Sequence, residues 1–527
     1  MKPVRKISPG YRPLLEHQEQ AIRRIVSVLD AHDRTQYIAA CGSGKTLVGL
    51  HGAKALNPRE VVVFLPSLAL VRQTLIEWTE ERLFEGHAIL CVCSDSGVTA
   101  GLDATVVTED DLGMPVTTDA LSIRRFLSKN RRQPKLVFCT YQSAKLLAEG
   151  LPRKFKFDFG VFDEAHKTAG AEGKKFALAL KDAHIPIHKR LFLTATPRHC
   201  RIRKANEDEP VPVYSMDSEV DYGPTADRLP FSEAIARDLI CDYRAVISVV
   251  TSKDIDRRFL RQGTKLVVDG RQVDLQRTVH LIALQKAVEE FGIKKIFTFH
   301  STVDDAKKFV HGSDQSFQEY LPGFEALHIN GAMTARERNR IMAKFDAADK
   351  AVLSNARCLT EGVDVPAADM VAFMCPKRSM IDIIQTIGRA LRKHPGKQFG
   401  YVLLPVFVDQ HRNESVEDAC RKRRYDFAWE VVQALKEEDE ELRSIIEIAA
   451  AQAGRTKSSE AAASLKKKIK IIGSDDDLEA LRQGISAVCI EATSSSFDVM
   501  FGLLGAYKQE HGHCRVPRSY VVNGVNL

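Results

Sequence analysis

The 527 residues exceed one ordinary hydrophobic core and fit about three to four domains. Hydrophobic residues at 44% and charged residues at 28% are ordinary globular composition, and no run approaches the roughly 20 apolar residues of a membrane span, so no membrane association is expected. Met1 to Gly10 is basic without an apolar core, so no secretory signal is expected there. The 11 cysteines include no CxxC pair, which points to reduced thiols in a cytoplasmic chain, nucleoid-associated if bacterial. A net charge of +7 is compatible with a polyanionic partner but does not demand one.

In chain order, short apolar runs alternate with helical stretches. Strands are predicted at 36–40, 61–65, 136–140, 159–163 and 190–194, with helices at 46–55 and 67–80 between them. Short, wholly apolar strands are what a parallel sheet covered on both faces requires. Residues 198–228, with Pro210, Pro212, Gly223 and Pro224, read as a joint between domains. A second α/β alternation runs over 229–406, with strands at 295–299, 351–354 and 370–374. Residues 415–450 read as charged amphipathic helix, and 454–470, rich in Ser, Ala and Lys, as a surface helix or linker. The expected division is two α/β domains at 1–225 and 226–410, a helical extension and linker at 411–490, and a last segment at 491–527.

The strongest local signal is Ala39-Ala40-Cys41-Gly42-Ser43-Gly44-Lys45-Thr46, behind a predicted strand and before a predicted helix. Phosphate binding needs glycines that let backbone N–H groups approach the oxygens, a helix N-terminus, and a lysine reaching the β- and γ-phosphates. Gly42, Ser43 and Gly44 supply the turn, Lys45 the charge, and Thr46 a hydroxyl for Mg²⁺. A glycine turn before a helix is the bland alternative, and the flanking strand and helix weigh against it.

Asp163-Glu164-Ala165-His166 follows another strand. Two acids there are by themselves most often a cap and a solvated face. Beside a phosphate loop, Asp163 suits the water shell of Mg²⁺ and Glu164 suits a general base. His166 alone would read as a structural histidine; in this context it links the nucleotide site to Thr194-Ala195-Thr196-Pro197. In Gln385-Thr386-Ile387-Gly388-Arg389-Ala390-Leu391-Arg392, the two arginines share a face if the segment is helical. Paired arginines are usually solvated, but an ATPase needs cations on the γ-phosphoryl group.

In this order the strings resemble those of superfamily 2 helicases and translocases, in the branch with a DEAH-type second motif, over residues 11–405. The resemblance implies two tandem RecA-like P-loop NTPase domains with a C-terminal helical region. The phosphate loop resembles motif I, Asp163 to His166 motif II, Thr194 to Thr196 motif III, and Phe299-His300-Ser301 motif IV. Residues 359–366 resemble motif V, and Gln385 to Arg392 motif VI. Carried over residue by residue, Gly362 and Asp364 sit near the nucleotide and Thr360 touches the nucleic-acid backbone. Ser67 and Arg72 (motif Ia), with Thr140 and Ser143 (motif Ib), grip phosphates; taken alone these hydroxyls read as strand or helix caps. Gln18 resembles the adenine-reading glutamine, its usual preceding arginine being displaced to Arg12. His166, Thr194, Thr196 and Gln385 couple nucleotide state to motion, and Arg389 and Arg392 join Lys45, Asp163 and Glu164 in catalysis.

Residues 497–527 resemble the start of a helicase-associated domain. His511, His513 and Cys514 lack a second ligand pair and do not read as a metal site. The implied activity is ATP- and Mg²⁺-dependent movement along, or remodelling of, a nucleic-acid strand, DNA favoured over RNA. Little base specificity and strong salt dependence follow from phosphate contacts. The open alternatives are an RNA helicase, and a motor or nucleotide-gated binding subunit of a restriction or anti-phage complex. No nuclease is legible in the chain, so such a complex would draw its nuclease or methylase from a partner chain. A P-loop kinase or transporter ATPase leaves the distant arginines unexplained.

Overall fold

A computed structural model of the chain describes residues 13–93, 116–129, 132–171, 175–199, 213–251, 253–255, 267–268, 271–272, 275–311, 316–356, 368–375, 380–394, 397–408, 426–453 and 465–473, with scattered positions from 482 onward. The main division into two compact units falls between Pro230 and Phe231. Among the described residues no helix is long and apolar enough to cross a membrane.

The first unit is built on a wholly parallel sheet. Its strands are β1 (Arg34–Ala39), β2 (Glu60–Leu65), β3 (Ala88–Val92), β4 (Val116–Thr117), β5 (Lys135–Thr140), β6 (Phe157–Asp163), β7 (Ile187–Thr194) and β8 (Thr225–Leu229), in the order β8-β1-β7-β6-β2-β5-β3-β4. The five predicted strands are all present and begin slightly earlier than their apolar runs. Charge concealed those starts. Lys135 is buried directly opposite Glu60, its ammonium 3.4 Å from the carboxylate, and fully buried Arg190 pairs with Asp182 at 2.5 Å.

Residues 198–228 are not simply a joint. The Gln36 side-chain amide donates to the carbonyls of Met216 and Gly223, each at 2.9 Å, and the Thr35 hydroxyl donates to Pro224 O at 2.9 Å. Tyr222 is wholly buried with its ring 5.0 Å from Phe192. Gly223 and Pro224 lead the chain back along β1 into edge strand β8. Gly223, at φ 75°, leaves no room for a Cβ beside the Arg34 carbonyl.

The second unit repeats the design with β9 (Asp242–Thr251), β10 (Lys295–Phe299), β11 (Glu325–His328), β12 (Ala351–Asn355), β13 (Met370–Phe373), β14 (Phe399–Val408) and β15 (Ile469–Ile472). All are parallel, in the order β11-β12-β10-β13-β14-β9-β15. In place of one long amphipathic helix, the described part of 415–450 holds two helices, Asp426–Glu438 and Glu440–Ala453. They part at Asp439, whose carboxylate accepts from Glu441 N at 2.9 Å and Leu442 N at 3.3 Å and so starts the second helix.

The lysine-rich segment expected as surface helix or linker ends instead in the sheet. Lys468 is 3% exposed. Its ammonium lies 2.7 Å from Asp242, 3.2 Å from Glu441 and 3.3 Å from Asp439, and 4.8 Å from the centroid of the Tyr243 ring. Three carboxylates replace the water that a lone lysine would keep. Of the segment resembling a helicase-associated domain, the described residues show Tyr507 buried and donating to Arg515 O at 3.0 Å.

Removing one member of a buried ion cluster strands the others without water. Lys468→Ala is therefore expected to lower unfolding free energy by about 3 kcal/mol, read as a fall in the urea midpoint.

Candidate nucleotide site

Between β1 and helix α1 (Lys45–Ala55) the chain turns through two left-handed glycines, Gly42 at φ 86° and Gly44 at φ 84°. Gly44 caps the helix, and a Cβ there would collide with the Gln18 amide. The turn closes on itself: the Ser43 hydroxyl donates to Ala40 O at 2.8 Å, and the Lys45 ammonium to Ala39 O at 3.0 Å and Ala40 O at 3.4 Å. Lys45 is thus held at the loop by backbone carbonyls that a triphosphate oxygen can replace. Thr46, half-buried, is the next residue of the helix.

Gln18 lies on the helix Glu16–Ala31 and is buried against this loop. Its Oε1 accepts from Leu15 N at 2.9 Å, and its Nε2 donates to Ser43 O at 3.4 Å. His17, to which sequence reasoning gave no role, meets the same carbonyl through Nε2 at 3.0 Å. Two adjacent side chains therefore hold one face of the phosphate turn.

Asp163 is the last residue of β6 and Glu164 the first beyond it, at φ 49° and ψ 47°. That left-handed conformation is uncommon for a residue with a Cβ and concentrates at functional sites. Burial, then the Glu164 charge, push the Asp163 carboxyl up to about 7, while the Lys45 ammonium pulls it down. A cation beside it would favour the ionised form. The donor set, a carboxylate and the Thr46 hydroxyl, is hard oxygen and fits Mg²⁺.

Glu164 Oε2 lies 3.4 Å from His166 Nδ1, which shares a 3.0 Å hydrogen bond with the Thr194 hydroxyl. Thr194 Oγ1 also accepts from Thr196 N at 3.1 Å. A continuous polar chain thus joins the end of β6 to the end of β7, bringing His166, Thr194 and Thr196 together. Thr196 Oγ1 is buried with no hydrogen-bond partner among the described residues. Two tyrosines that sequence reasoning left without a role hold this region. Tyr141 donates to Asp163 O at 2.8 Å, and Tyr222 shares a 2.9 Å hydrogen bond with Thr168 behind the His166 turn. Tyr141 lies inside the string 140–143 that resembles motif Ib, without a role of its own there, and Tyr222 carries no sequence signal.

The expected phosphate-gripping side chains are placed differently from one another. Thr140 and Ser143 are buried, and the Thr140 hydroxyl donates to Ser143 Oγ at 2.9 Å. Ser67 caps the helix Leu68–Glu80 by accepting from Leu70 N at 3.4 Å. These hydroxyls serve the turn and the cap, while Arg72 is half-buried on that helix.

In the second unit, Gln385 is buried on the helix Met380–Ala390. Arg389 belongs to that helix, with its side chain outside the described residues. Arg392 lies beyond the helix end, so the two arginines do not share a continuous helical face. Lys397 explains the stop: its ammonium donates to Ala390 O and, at 3.3 Å, to Arg392 O, while Cys241 N donates to Leu391 O at 2.9 Å. Arg12, Thr360, Gly362 and Asp364 lie outside the described residues.

The raised Asp163 has a consequence for the chain without ligand. Its carboxyl titrates near 7 when folded and at the ordinary, lower carboxylate value when unfolded. Burying the anion therefore opposes folding above about 7, and the opposition fades as pH falls through that value. Asp163→Asn is expected to melt higher than the parent at about pH 8, with the gap narrowing toward about pH 5, by calorimetry without nucleotide or metal.

Comparison with known proteins identifies the two units. Residues 12–199 match the family model of the res subunit of type III restriction enzymes, and residues 279–394 that of the helicase conserved C-terminal domain. "Probable helicase A859L" of African swine fever virus (isolate Tick/South Africa/Pretoriuskop Pr4/1996) is 26% identical over 415 residues, covering 77% of this chain and 42% of the viral protein. Among solved structures, the ATP-dependent Type ISP restriction-modification enzyme LlaBIII bound to DNA superposes with a TM-score of 0.75 at 25% identity, covering 93% of this chain and 34% of that one. A nuclease-deletion mutant of the Type ISP enzyme LlaGI, in complex with a DNA substrate mimic, shares the fold at 24% identity and a TM-score of 0.59, over 92% of this chain and 32% of that one. The chain therefore spans less than half the length of the relatives it matches. With a phosphate loop and an Asp-Glu-Ala-His turn at the ends of two strands of one parallel sheet, and a second parallel sheet formed by the later part of the chain, the chain belongs to the superfamily 2 helicases, built on two tandem RecA-like domains.

Proposed function

We propose that this chain is an ATP-dependent helicase or translocase that uses hydrolysis to move along, or remodel, a nucleic-acid strand, with DNA favoured over RNA. The observation that carries the proposal is the electrostatic arrangement at the top of the first sheet. A lysine on a left-handed glycine turn lies near enough to a buried aspartate to shift its ionisation, with a second carboxylate at the next residue.

In this reading Lys45 and the N–H groups of Gly42, Ser43 and Gly44 hold the β- and γ-phosphates, and Gln18 faces the adenine. Thr46 and Asp163 hold Mg²⁺, which when bound neutralises phosphate charge and orients the reacting group. Glu164 accepts a proton from the attacking water. Arg389 and Arg392 of the second unit stabilise charge on the γ-phosphoryl group, with Gly362 and Asp364 beside the nucleotide. His166, Thr194, Thr196 and Gln385 transmit nucleotide state to the nucleic-acid grip, to which Ser67, Arg72, Thr140, Ser143 and Thr360 belong. The Thr140 hydroxyl donates its proton to Ser143 Oγ, so in this reading the backbone N–H groups of the turn share in that grip.

A second reading has the same motor serving a restriction or anti-phage complex. The likeness to a Type ISP restriction-modification enzyme over 93% of this chain favours it. A nuclease or methylase partner would then co-purify with the chain from its native source; its absence under conditions that keep the motor active would refute this version.

Lys45→Ala and Glu164→Gln are each expected to reduce nucleic-acid-stimulated ATPase by at least about a hundredfold, and Arg389→Ala by about a thousandfold. Near-normal phosphate release in all three would overturn the assignment. Stimulation by single-stranded DNA is expected to exceed that by RNA of the same sequence, and to weaken steeply between about 50 and 200 mM salt. Steady-state turnover with each polymer, paired with strand displacement, reads both.

A further inference from the structure

The carbonyl of Asp163 sits where β6 ends and the left-handed Glu164 begins. How that peptide is oriented decides where the Glu164 carboxylate points. The Tyr141 hydroxyl donates to this carbonyl at 2.8 Å. Tyr141 opens the turn behind β5, and β5 is not a neighbour of β6, because β2 lies between them. The side chain reaches across the end of β2. Its ring lies near-parallel to Phe64, centroids 6.0 Å apart at 13°, and Phe64 stacks on Phe162 at 4.9 Å. Phe176 flanks the Tyr141 ring at 5.9 Å.

Tyr141, Phe64 and Phe162 are wholly buried, and the ring has no room to swing without disturbing three strand ends. Burial and the Asp163 charge raise the phenol well above its ordinary value, so the group keeps its proton and remains a donor. The other end of this lever is the turn Thr140 to Ser143, closed by its own 2.9 Å hydroxyl pair. A shift of that turn moves the phenol, and the phenol moves the Asp163–Glu164 peptide.

We propose that Tyr141 is a positioning residue that makes the Glu164 carboxylate answer to a strand held at the Thr140–Ser143 turn. The turn, the phenol and the peptide form one mechanical unit across three strand ends. Strand occupancy at the turn then sets the catalytic carboxylate without passing through the second unit. This inference rests on the reading of the site as a nucleic-acid-stimulated ATPase.

Tyr141→Phe in the full chain tests it, because the ring packing stays and only the hydroxyl goes. With saturating single-stranded DNA, kcat is expected to fall about tenfold, the scale of one buried hydrogen bond to a carbonyl. The KM for ATP should hold within about twofold, and the melting temperature should move little. A kcat within about twofold of the parent would overturn the inference, as would a loss seen equally in kcat, KM and melting temperature, which marks general loosening. Thr140→Val, which breaks the hydroxyl pair at the far end of the lever, is expected to lower DNA-stimulated kcat in the same direction; no change there also counts against it. A parent chain with no nucleotide turnover on DNA or RNA would sink the ATPase reading and this inference together, whereas a stimulated parent matched by an equally stimulated Tyr141→Phe would remove only the role of Tyr141.

Discussion

Backbone N–H groups can converge on a phosphate only where no Cβ stands in the way, and Gly44 is where this chain meets that constraint. At φ 84°, with the Gln18 amide occupying the space a side chain would need, the position strongly favours glycine. From it follow the direction in which α1 leaves the loop, the placement of Lys45 on the carbonyls of Ala39 and Ala40, and the burial of His17 and Gln18 against Ser43. The surrounding sheet is stiff enough to keep the turn in place. β1 lies between β7 and β8, and its Gln36 side chain ties down the segment that leads into β8.

The same site is electrostatically costly. A buried carboxylate next to a second one, on a residue in a left-handed conformation, opposes folding. Such an arrangement persists because its neighbours leave it no alternative: Tyr141 holds the Asp163 carbonyl, Tyr222 pins Thr168, and the chain from Glu164 through His166 to Thr194 and Thr196 orients what remains. These contacts keep the two acids in place, where the charge of a nearby cation would relieve their repulsion. Stability is given up where chemistry needs charge, and it is regained in the aromatic layer below, where Phe64 stacks on Phe162 and Phe192 packs tilted against Phe162.

The second unit solves a different problem. Its sheet continues past β14 and β9 to β15, whose approach is fixed by Lys468 among Asp242, Asp439 and Glu441. The helices 426–438 and 440–453 are thereby part of the second core and not an appendage. Lys397 ends the helix that carries Gln385 and Arg389, which sets Arg392 on a different backbone conformation from Arg389.

Much of this was legible in the residue order. Alternating short apolar runs and helices dictated parallel α/β units, since a strand apolar on both faces must be covered on both. The spacing of the glycines before Lys45, and two acids behind a strand, announced the nucleotide site. What the tertiary structure alone decided were the features that depend on partners distant in sequence. Lys135, Arg190 and Lys468 look like surface charges until Glu60, Asp182 and Asp439 are brought beside them. Thr140 and Ser143 become hydrogen-bond partners only once the turn is folded. Tyr141 sits in a recognisable string, but the carbonyl it reaches across β2 is visible only in the folded sheet. Local pattern carries periodicity and turn chemistry over a few residues; desolvated charge and long-range hydrogen bonds depend on which strands become neighbours, and only the folded sheet determines that.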